Sequence, residues 1–334
     1  MQNFEQLGRR EAIRLLFDGS GFEPFSESCF VPEPGRRVAG ASRLFLEGID
    51  FDLVYFPLKH LGYKAVTVAT GALYASMAMP RTLSVVLGVS AKLNFDSIRE
   101  LWSGALQAAS EFGYESVGLD IQPSQNGLSI AVSCSGCIEA GERPAPASKD
   151  LLCVTGALGA AYCGLRILER GRQRYDGGIE NTREALEKHK MLVAAYLKPE
   201  LPAGLPAQLS DAGISPSASV FVDRGLADAM LRLRESTGLG VKAYADRIPF
   251  ESGTFALGKE MDFDPVSAAM NGGEDCRVLF SVPIDRYDTL RHEFQAFDII
   301  GHLALPEAGA VLVDPSGLEH KVSAPGWPDT DIQS

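Results

Sequence analysis

Apolar positions recur along the first half of the chain with two different periods, and these sort it into helices and strands. In "FDSIRELWSGALQAASEFG", Ile98, Leu101, Trp102, Ala105, Ala109 and Phe112 follow one another at three- and four-residue steps, which predicts a helix with one buried face. Asp96 stands where the N-cap of that helix is expected. In "GLSIAVSCS", Leu128, Ile130 and Val132 alternate with small polar residues, the pattern of a half-buried strand. "ESVGLD" and "TLSVVLGVS" read as strands, and "VPEPGRRVAGASRLFLEGIDF" as a turn leading into another. Residues 6–17, "QLGRREAIRLLF", place Ile13, Leu16 and Phe17 on one face of a short helix. The uncharged run "GYKAVTVATGALYASMAMP", residues 62–80, carries no charge between Lys64 and Arg81 and reads, after a helical turn from Lys59, as a strand followed by a helix.

The order strand, helix, strand, helix, strand, strand describes a mixed α/β (α+β) unit. Periodicity then lapses in "CIEAGERPAPASKD", which holds two prolines and marks a boundary between domains at 1–140 and 148–334. Beyond it, "LLCVTGALGAAYCGLRILERG" reads as strand, glycine-rich turn and helix. "LKPELPAGLPAQLSDAGISPSAS" contains four prolines and reads as a surface connection. "SVFVDRGLADAMLRLRESTGLG" is a strand entering a helix, with Leu226, Met230 and Leu233 on one face and a glycine stop. "CRVLFSVP", a helix around "DRYDTLRHEF" and a hairpin in "GAVLVDPSGLEH" complete a second α/β unit.

Composition narrows the classes of function. The 334 residues are 46% apolar and carry a net charge of −12 with no Lys/Arg block, which disfavours nucleic acid and anionic membranes as partners. The N-terminus has no apolar leader region, and no run reaches the roughly 18 apolar residues needed to span a bilayer, so a cytoplasmic location is expected. Six cysteines in this length suit reduced thiols rather than a disulfide framework.

Three motifs carry candidate chemistry. Cys134 and Cys137 form one Cys-x-x-Cys, which reads as two thiols at a strand end, with half a zinc site or a redox pair as alternatives; the five histidines show no ligand spacing. Gly156 and Gly159 in "VTGALGAAYCG" stand where a strand turns into a helix, so backbone N–H groups there suit either a phosphate or tight packing. In "NGGEDCRVLF" two glycines deliver Glu274 and Asp275 to the entrance of a strand, where a solvated turn is the simplest reading.

Taken in order, "LEGIDFDLVYFPLKHLGYKAV", "AMPRTLSVVLGVS", "GLSIAVSCSG", "DLLCVTGALGAAYCGLRILERG", "STGLGVKAYADRIPF", "GGEDCRVLF" and "APGWP" resemble the thiamine-monophosphate kinase family, in the aminoimidazole ribonucleotide synthetase superfamily. The resemblance implies a two-domain fold, with an N-terminal sheet that pairs across a dimer and a layered C-terminal α/β domain. It implies ATP-dependent, Mg²⁺-dependent phosphorylation of thiamine monophosphate, with clustered aspartates holding the metal on the phosphates. Here the family's N-terminal aspartate pair reads "SESCFV", leaving Glu27 as a nucleotide or metal candidate. Arg43, Ala72, Phe221 and Arg224 stand at aspartate positions, and Asp120 is kept between Leu119 and Ile121 as the remaining metal candidate. Asp223 is displaced by one residue and reads as a helix N-cap. Asp50, Glu274, Asp275 and Trp327 fall on the substrate side, and Gly156 and Gly159 join Arg43 and Arg224 as phosphate candidates.

With so many ligand positions changed, the expectation is an impaired kinase-like protein that acts as a dimer partner or regulator, as a homodimer or paired with an active paralogue. Residual thiamine-phosphate kinase activity is one alternative. The other is metal-independent binding of a phosphorylated metabolite through Arg43 and Arg224, since guanidinium groups make paired contacts with phosphate.

Overall fold

A computed structural model describes residues 15–21, 37–138, 143–173, 187–293 and 297–324. The chain divides into two compact units, Met1–Gly141 with Glu200–Ala207, and Glu142–Pro199 with Gln208–Ser334. Among the described residues no helix is long and apolar enough to cross a membrane.

The first unit runs β1 (Arg37–Leu46), α1 (Leu58–Ala75), β2 (Ala78–Ser90), α2 (Phe95–Glu111), β3 (Ser116–Ser124) and β4 (Ser129–Ile138). Its four-stranded sheet has the order β1-β4-β2-β3, with β4 antiparallel to both neighbours and β2 parallel to β3. The α2 face expected from the apolar spacing is buried, from Ile98 at 0% exposure to Phe112 at 4%. Its cap is Asn94 rather than Asp96: the Asn94 side chain accepts from Ser97 N–H at 2.9 Å, and Asp96 sits in the first turn paired with Arg99.

The uncharged run at 62–80 is not a strand followed by a helix. α1 runs unbroken from Leu58 to Ala75, and the strand begins only at Ala78. The β-branched residues that suggested extended backbone are held in the helix, where Thr67 and Thr70 donate to the carbonyls of Tyr63 and Val66 one turn back. Burial nearly all round α1, from Leu61 through Gly71, removes the polar stripe that marks a helix by its period.

This burial requires a very close approach of two helices. A Cβ added at Gly62 would stand 1.9 Å from the Leu101 carbonyl oxygen, and one at Gly104 1.8 Å from that of Lys59. Each helix therefore gives up a side chain where the other's backbone passes, and α1 is wedged between α2 and the sheet. Lys64, only 2% exposed, lays its ammonium over the Phe56 ring at 5.2 Å.

The second unit contains β5 (Leu151–Val154), α3 (Ala160–Gln173), α4 (Lys190–Leu197), β6 (Ala218–Val222), α6 (Leu226–Thr237), β7 (Gly240–Tyr244), α7 (Thr254–Met261), α8 (Pro265–Asn271), β8 (Arg277–Val282), α9 (Tyr287–Glu293), β9 (Asp298–Ala304), β10 (Ala310–Val313) and β11 (Glu319–Lys321). The helix α5 (Leu205–Asp211) lies between α4 and β6 in the chain. Seven strands form one sheet in the order β11-β10-β7-β9-β5-β8-β6, with β7 and β10 parallel and the other pairs antiparallel. The expected hairpin is β10–β11. Leu152, Val154, Val220, Leu279 and the α6 residues Met230 and Leu233 build the core on one sheet face.

The proline-rich segment is not a surface connection. Leu201, Leu205, Leu209 and Ile214 are buried, and the first three recur every four residues, a helical spacing that the prolines obscured.

Replacing Gly62 or Gly104 by alanine is expected to lower stability by about 1–3 kcal/mol, because backbone rather than a movable side chain blocks the added methyl. Chemical denaturation checks this: an unchanged midpoint in both variants would contradict the close approach of α1 and α2.

Candidate functional site

In the second unit, the candidates gather at one end of the seven-stranded sheet. β5 and β6 finish there and β8 begins there, since Val154 pairs with Leu279 and Val222 with Arg277. Three turns meet at this end: residues 155–159, 223–225 and 272–276. Their contact is tight. Glu274 N–H donates to the Asp223 carbonyl at 2.9 Å, and a Cβ on Gly225 would come within 2.4 Å of the Met270 carbonyl oxygen.

The turn before β8 departs from ordinary backbone. Gly273, Glu274 and Cys276 have φ of 74°, 61° and 55°, so two residues with side chains occupy the left-handed region. This contortion drives Asp275 inward. Asp275 is 4% exposed, and its two carboxylate oxygens accept from Gly159 N–H at 2.8 Å and Ala161 N–H at 3.1 Å. The solvated-turn reading therefore fails for Asp275, which is the internal anion at the N-terminus of α3.

This placement bears directly on the glycine-rich turn. Two of the N–H donors at the start of α3, those of Gly159 and Ala161, are bonded to Asp275. Gly159, at φ 77°, lies against Ala269, where a Cβ would stand 3.0 Å from the backbone nitrogen. Gly156 lies against the Arg277 guanidinium, which donates from Nε to the Ala157 carbonyl at 3.3 Å. Both glycines make room for neighbouring chain.

Burial raises the Asp275 pKa from its ordinary value to about 6; the two backbone donors and the Arg277 charge oppose that shift, and Glu274 adds to it. Cys163, near the start of α3, is pushed up to about 11 by the same desolvation.

The Asp223 position also differs from expectation. The N-cap of α6 is Gly225, with no side-chain cap bond. Asp223 instead accepts from Arg232 Nη2 at 3.0 Å, while Arg232 Nε donates to Asp228 at 2.7 Å and Nη2 also reaches the Phe221 carbonyl at 2.6 Å. Arg232 and Arg277 were not picked out from the sequence. The one available signal was Asp228 and Arg232 standing one helical turn apart. Phe221 is core at 2% exposure, whereas Arg224 is exposed on the same turn.

The first-unit candidates do not come together within that unit. Arg43 lies in β1 opposite Val132, in a row continuing through Val85 to Leu119. Asp120 lies in β3 opposite Val86, so it is at the far edge of the sheet and on the other face. Arg43 donates to the Ser42 carbonyl at 3.3 Å, and the Asp120 carboxylate accepts from Ile121 N–H at 2.8 Å. Ala72 is partly buried within α1. Asp50 closes a loop by accepting from Leu46 N–H at 2.7 Å. Glu27 and Trp327 lie outside the described residues.

Cys134 and Cys137 stand three residues apart on β4 and so project to opposite faces of the sheet. Both are buried free thiols, with Cys134 donating to the Ala69 carbonyl at 3.5 Å and pushed up to about 11 by burial. They are two strand thiols, not a chelating or redox pair. Among the described residues, no group of three or more His, Cys, Asp or Glu side chains is placed to hold a metal ion.

Residues 27–138, which include the four-stranded sheet, match the family model described as AIR synthase related protein, N-terminal domain. Over most of its length the chain is similar to thiamine-monophosphate kinases. It is 23% identical over 269 residues to the thiamine-monophosphate kinase of Bacillus subtilis, covering 80% of this chain and 77% of the relative. Its fold is similar to the thiamine-monophosphate kinase of Stenotrophomonas maltophilia, with a TM-score of 0.74, 19% identity and coverage of 94% of this chain and 96% of that one. It is likewise similar to the Aquifex aeolicus protein AaThiL complexed with AMPPCP and TMP, with a TM-score of 0.73, 20% identity and 98% of each chain covered.

Asp275 gives a pH dependence of known sign. Its folded-state pKa of about 6 lies above the ordinary value of 3.8, so the folded chain binds this proton more tightly. The associated stability is fully present below about pH 4 and is lost as pH rises through about 6, a change of roughly 3 kcal/mol. Asp275→Asn is expected to abolish that slope, and Asp275→Ala to cost about 1–3 kcal/mol through two buried N–H groups left without acceptors. Denaturation of the three proteins between pH 4 and pH 7 tests both statements; parallel pH profiles for wild type and Asp275→Asn would refute the assignment.

Proposed function

We propose that this protein is a thiamine-monophosphate kinase-like chain impaired in metal-dependent phosphoryl transfer, and that it works as a dimer partner or regulator. What supports this reading is the resemblance, which puts Arg43, Ala72, Phe221 and Arg224 at the family's aspartate positions, combined with the internal use of Asp223. Phosphoryl transfer of the family type depends on Mg²⁺ ions neutralising the nucleotide phosphates. The residues present here do not fit that requirement: position 221 is a core phenylalanine, position 224 is an exposed cation, and the Asp223 carboxylate is held by Arg232. Among the described residues Asp120 is the one retained metal candidate, and by itself it would supply too few oxygens for a multi-metal site.

The sheet of the first unit supports the dimer part of the reading. Val38, Leu44 and Val86 lie on the sheet face away from α1 and are 45%, 58% and 40% exposed. Apolar side chains aligned on an otherwise serine-rich sheet face suit a second sheet of the same kind. Either a second copy or an active paralogue offers one.

Exposure of Arg224 favours a second reading, metal-independent binding of a phosphorylated metabolite. Among the described residues Arg224 has no ion pair, and its turn is braced by Gly225 and Gly273, which suits an anion-binding guanidinium. Arg43 is less available, being partly buried on the helix-covered face and bonded to Ser42.

Titration calorimetry with ATP, with and without Mg²⁺, alongside an assay for thiamine diphosphate, separates these readings. The expected result is turnover slower than that of the Bacillus subtilis relative by about a hundredfold or more, given the usual cost of losing charge stabilisation at a reacting phosphate. Tight Mg²⁺-dependent ATP binding with comparable turnover would sink the impaired-kinase reading. Binding that survives EDTA and is lost in Arg224→Ala would favour the metabolite binder. For the dimer, light scattering should give twice the chain mass for wild type and a smaller species for Val86→Arg; a monomeric wild type would leave partnership only with another chain.

A further inference from the structure

Residues 200–207 lie far along the chain, yet they group with the first unit. The attachment is specific. Gly204 N–H donates to the Tyr74 hydroxyl oxygen at 2.8 Å, across a sequence separation of 130. Tyr74 is 0% exposed, stands in the last turns of α1 and meets the Phe112 ring edge-on at 6.2 Å. Tyr63, about three turns earlier on α1, reaches the same ring at 6.4 Å and donates to Glu111 at 2.5 Å. Burial, the Glu111 bond and charge, and the Glu200 charge together hold the Tyr63 hydroxyl well above its ordinary pKa. Glu200 therefore lies near one tyrosine of α1 while Gly204 is bonded to the other.

The segment is pinned at points and is not woven into the unit. Leu201 and Leu205, on either side of Gly204, are buried, whereas Ala203 between them is exposed. Pro202 and Pro206 have no N–H to donate. Gly204 is left-handed at φ 69°, and a Cβ there would meet nothing within 4 Å. The segment adds no strand to the four-stranded sheet, and its last residues begin α5. α1 and α2 meet backbone to backbone at Gly62 and Gly104 without its help.

We propose that residues 200–207 form a strap that clips onto α1 through the Tyr74 hydroxyl and opens as one piece while the sheet, α1 and α2 of the first unit stay folded. Closed, the strap ties α1 to chain 130 positions later and completes the cover over Tyr74. Open, it bares that hydroxyl to solvent. The inference rests on local geometry and is independent of kinase activity.

Hydrogen exchange of the full-length chain, read by mass spectrometry at urea concentrations below the unfolding midpoint, tests it. Amides of residues 201–207 should exchange about tenfold or more faster than those of residues 62–73, at a rate that urea leaves unchanged, while the α1 rates climb with urea. Tyr74→Phe keeps the ring and removes the acceptor, so strap exchange should quicken about fivefold. Gly204→Ala should do the same without touching α1, because the added methyl has room and only the closed, left-handed backbone is strained; it also serves should Tyr74→Phe not fold. Strap amides that match α1 in rate and urea dependence would make the segment an inseparable part of the core. Wild-type strap amides exchanging as fast as an unprotected peptide would mean that no clip forms. Either result, or strap exchange unaltered in both variants, would overturn the proposal.

Discussion

The end of the second sheet depends on one buried carboxylate. Asp275 accepts from two N–H groups at the start of α3, and in doing so ties the strand entrance of β8 to the helix that follows β5. An unpaired carboxylate in this environment would be costly, and two unmet helix N–H groups would be costly as well. Each cancels much of the other's penalty. The bond explains why Glu274 and Cys276 tolerate left-handed backbone on either side of Asp275, since only that path turns the side chain inward. The glycines beside it make room for the chain: Gly156 lies against Arg277 and Gly159 against Ala269.

A second charge is handled in the same way a few residues distant. The Arg232 guanidinium meets Asp223, Asp228 and a strand carbonyl, so the loop leaving β6 is also organised by side chains of its own neighbourhood. One internal anion and one internal cation thus occupy positions that, at a sheet end rich in turns, commonly face ligands. The two locks are linked through the backbone, because Glu274, next to Asp275, donates to the carbonyl of Asp223. Stabilising either turn therefore steadies the other.

Legibility from sequence follows the same physics. Elements with one wet face were readable, as in α2 and β4, because solvent imposes a period on the sequence. α1 was not readable: it is covered on nearly every side, and its threonines satisfy their hydroxyls against its own carbonyls. The prolines around Leu201, Leu205 and Leu209 hid a buried helical spacing behind residues that usually signal loops. At the candidate site, the residues that stand out by type (Gly156, Gly159, Glu274 and Asp275) were found, and all lie at one sheet end. The inward placement of Asp275 was not found, because a carboxylate facing solvent and one facing a helix start look the same in sequence. Asp223 illustrates this, since its partner nine residues later is set by tertiary geometry rather than by capping.

Arg224 is the exception to this internal pairing, and the contrast gives it meaning. Asp275, Asp223, Asp228, Arg232 and Arg277 all spend their charge or donors on the chain itself. Arg224 stands exposed on the turn they brace, with the backbone beneath it pressed onto residues 270–273. A cation on a rigid turn loses less conformational entropy on meeting an anion than one on a loose loop, and among the described residues its charge is not paired with a carboxylate. The two locks therefore hold the turns around Asp275 and Asp223 against the chain itself, and the Arg224 guanidinium stands exposed beside them.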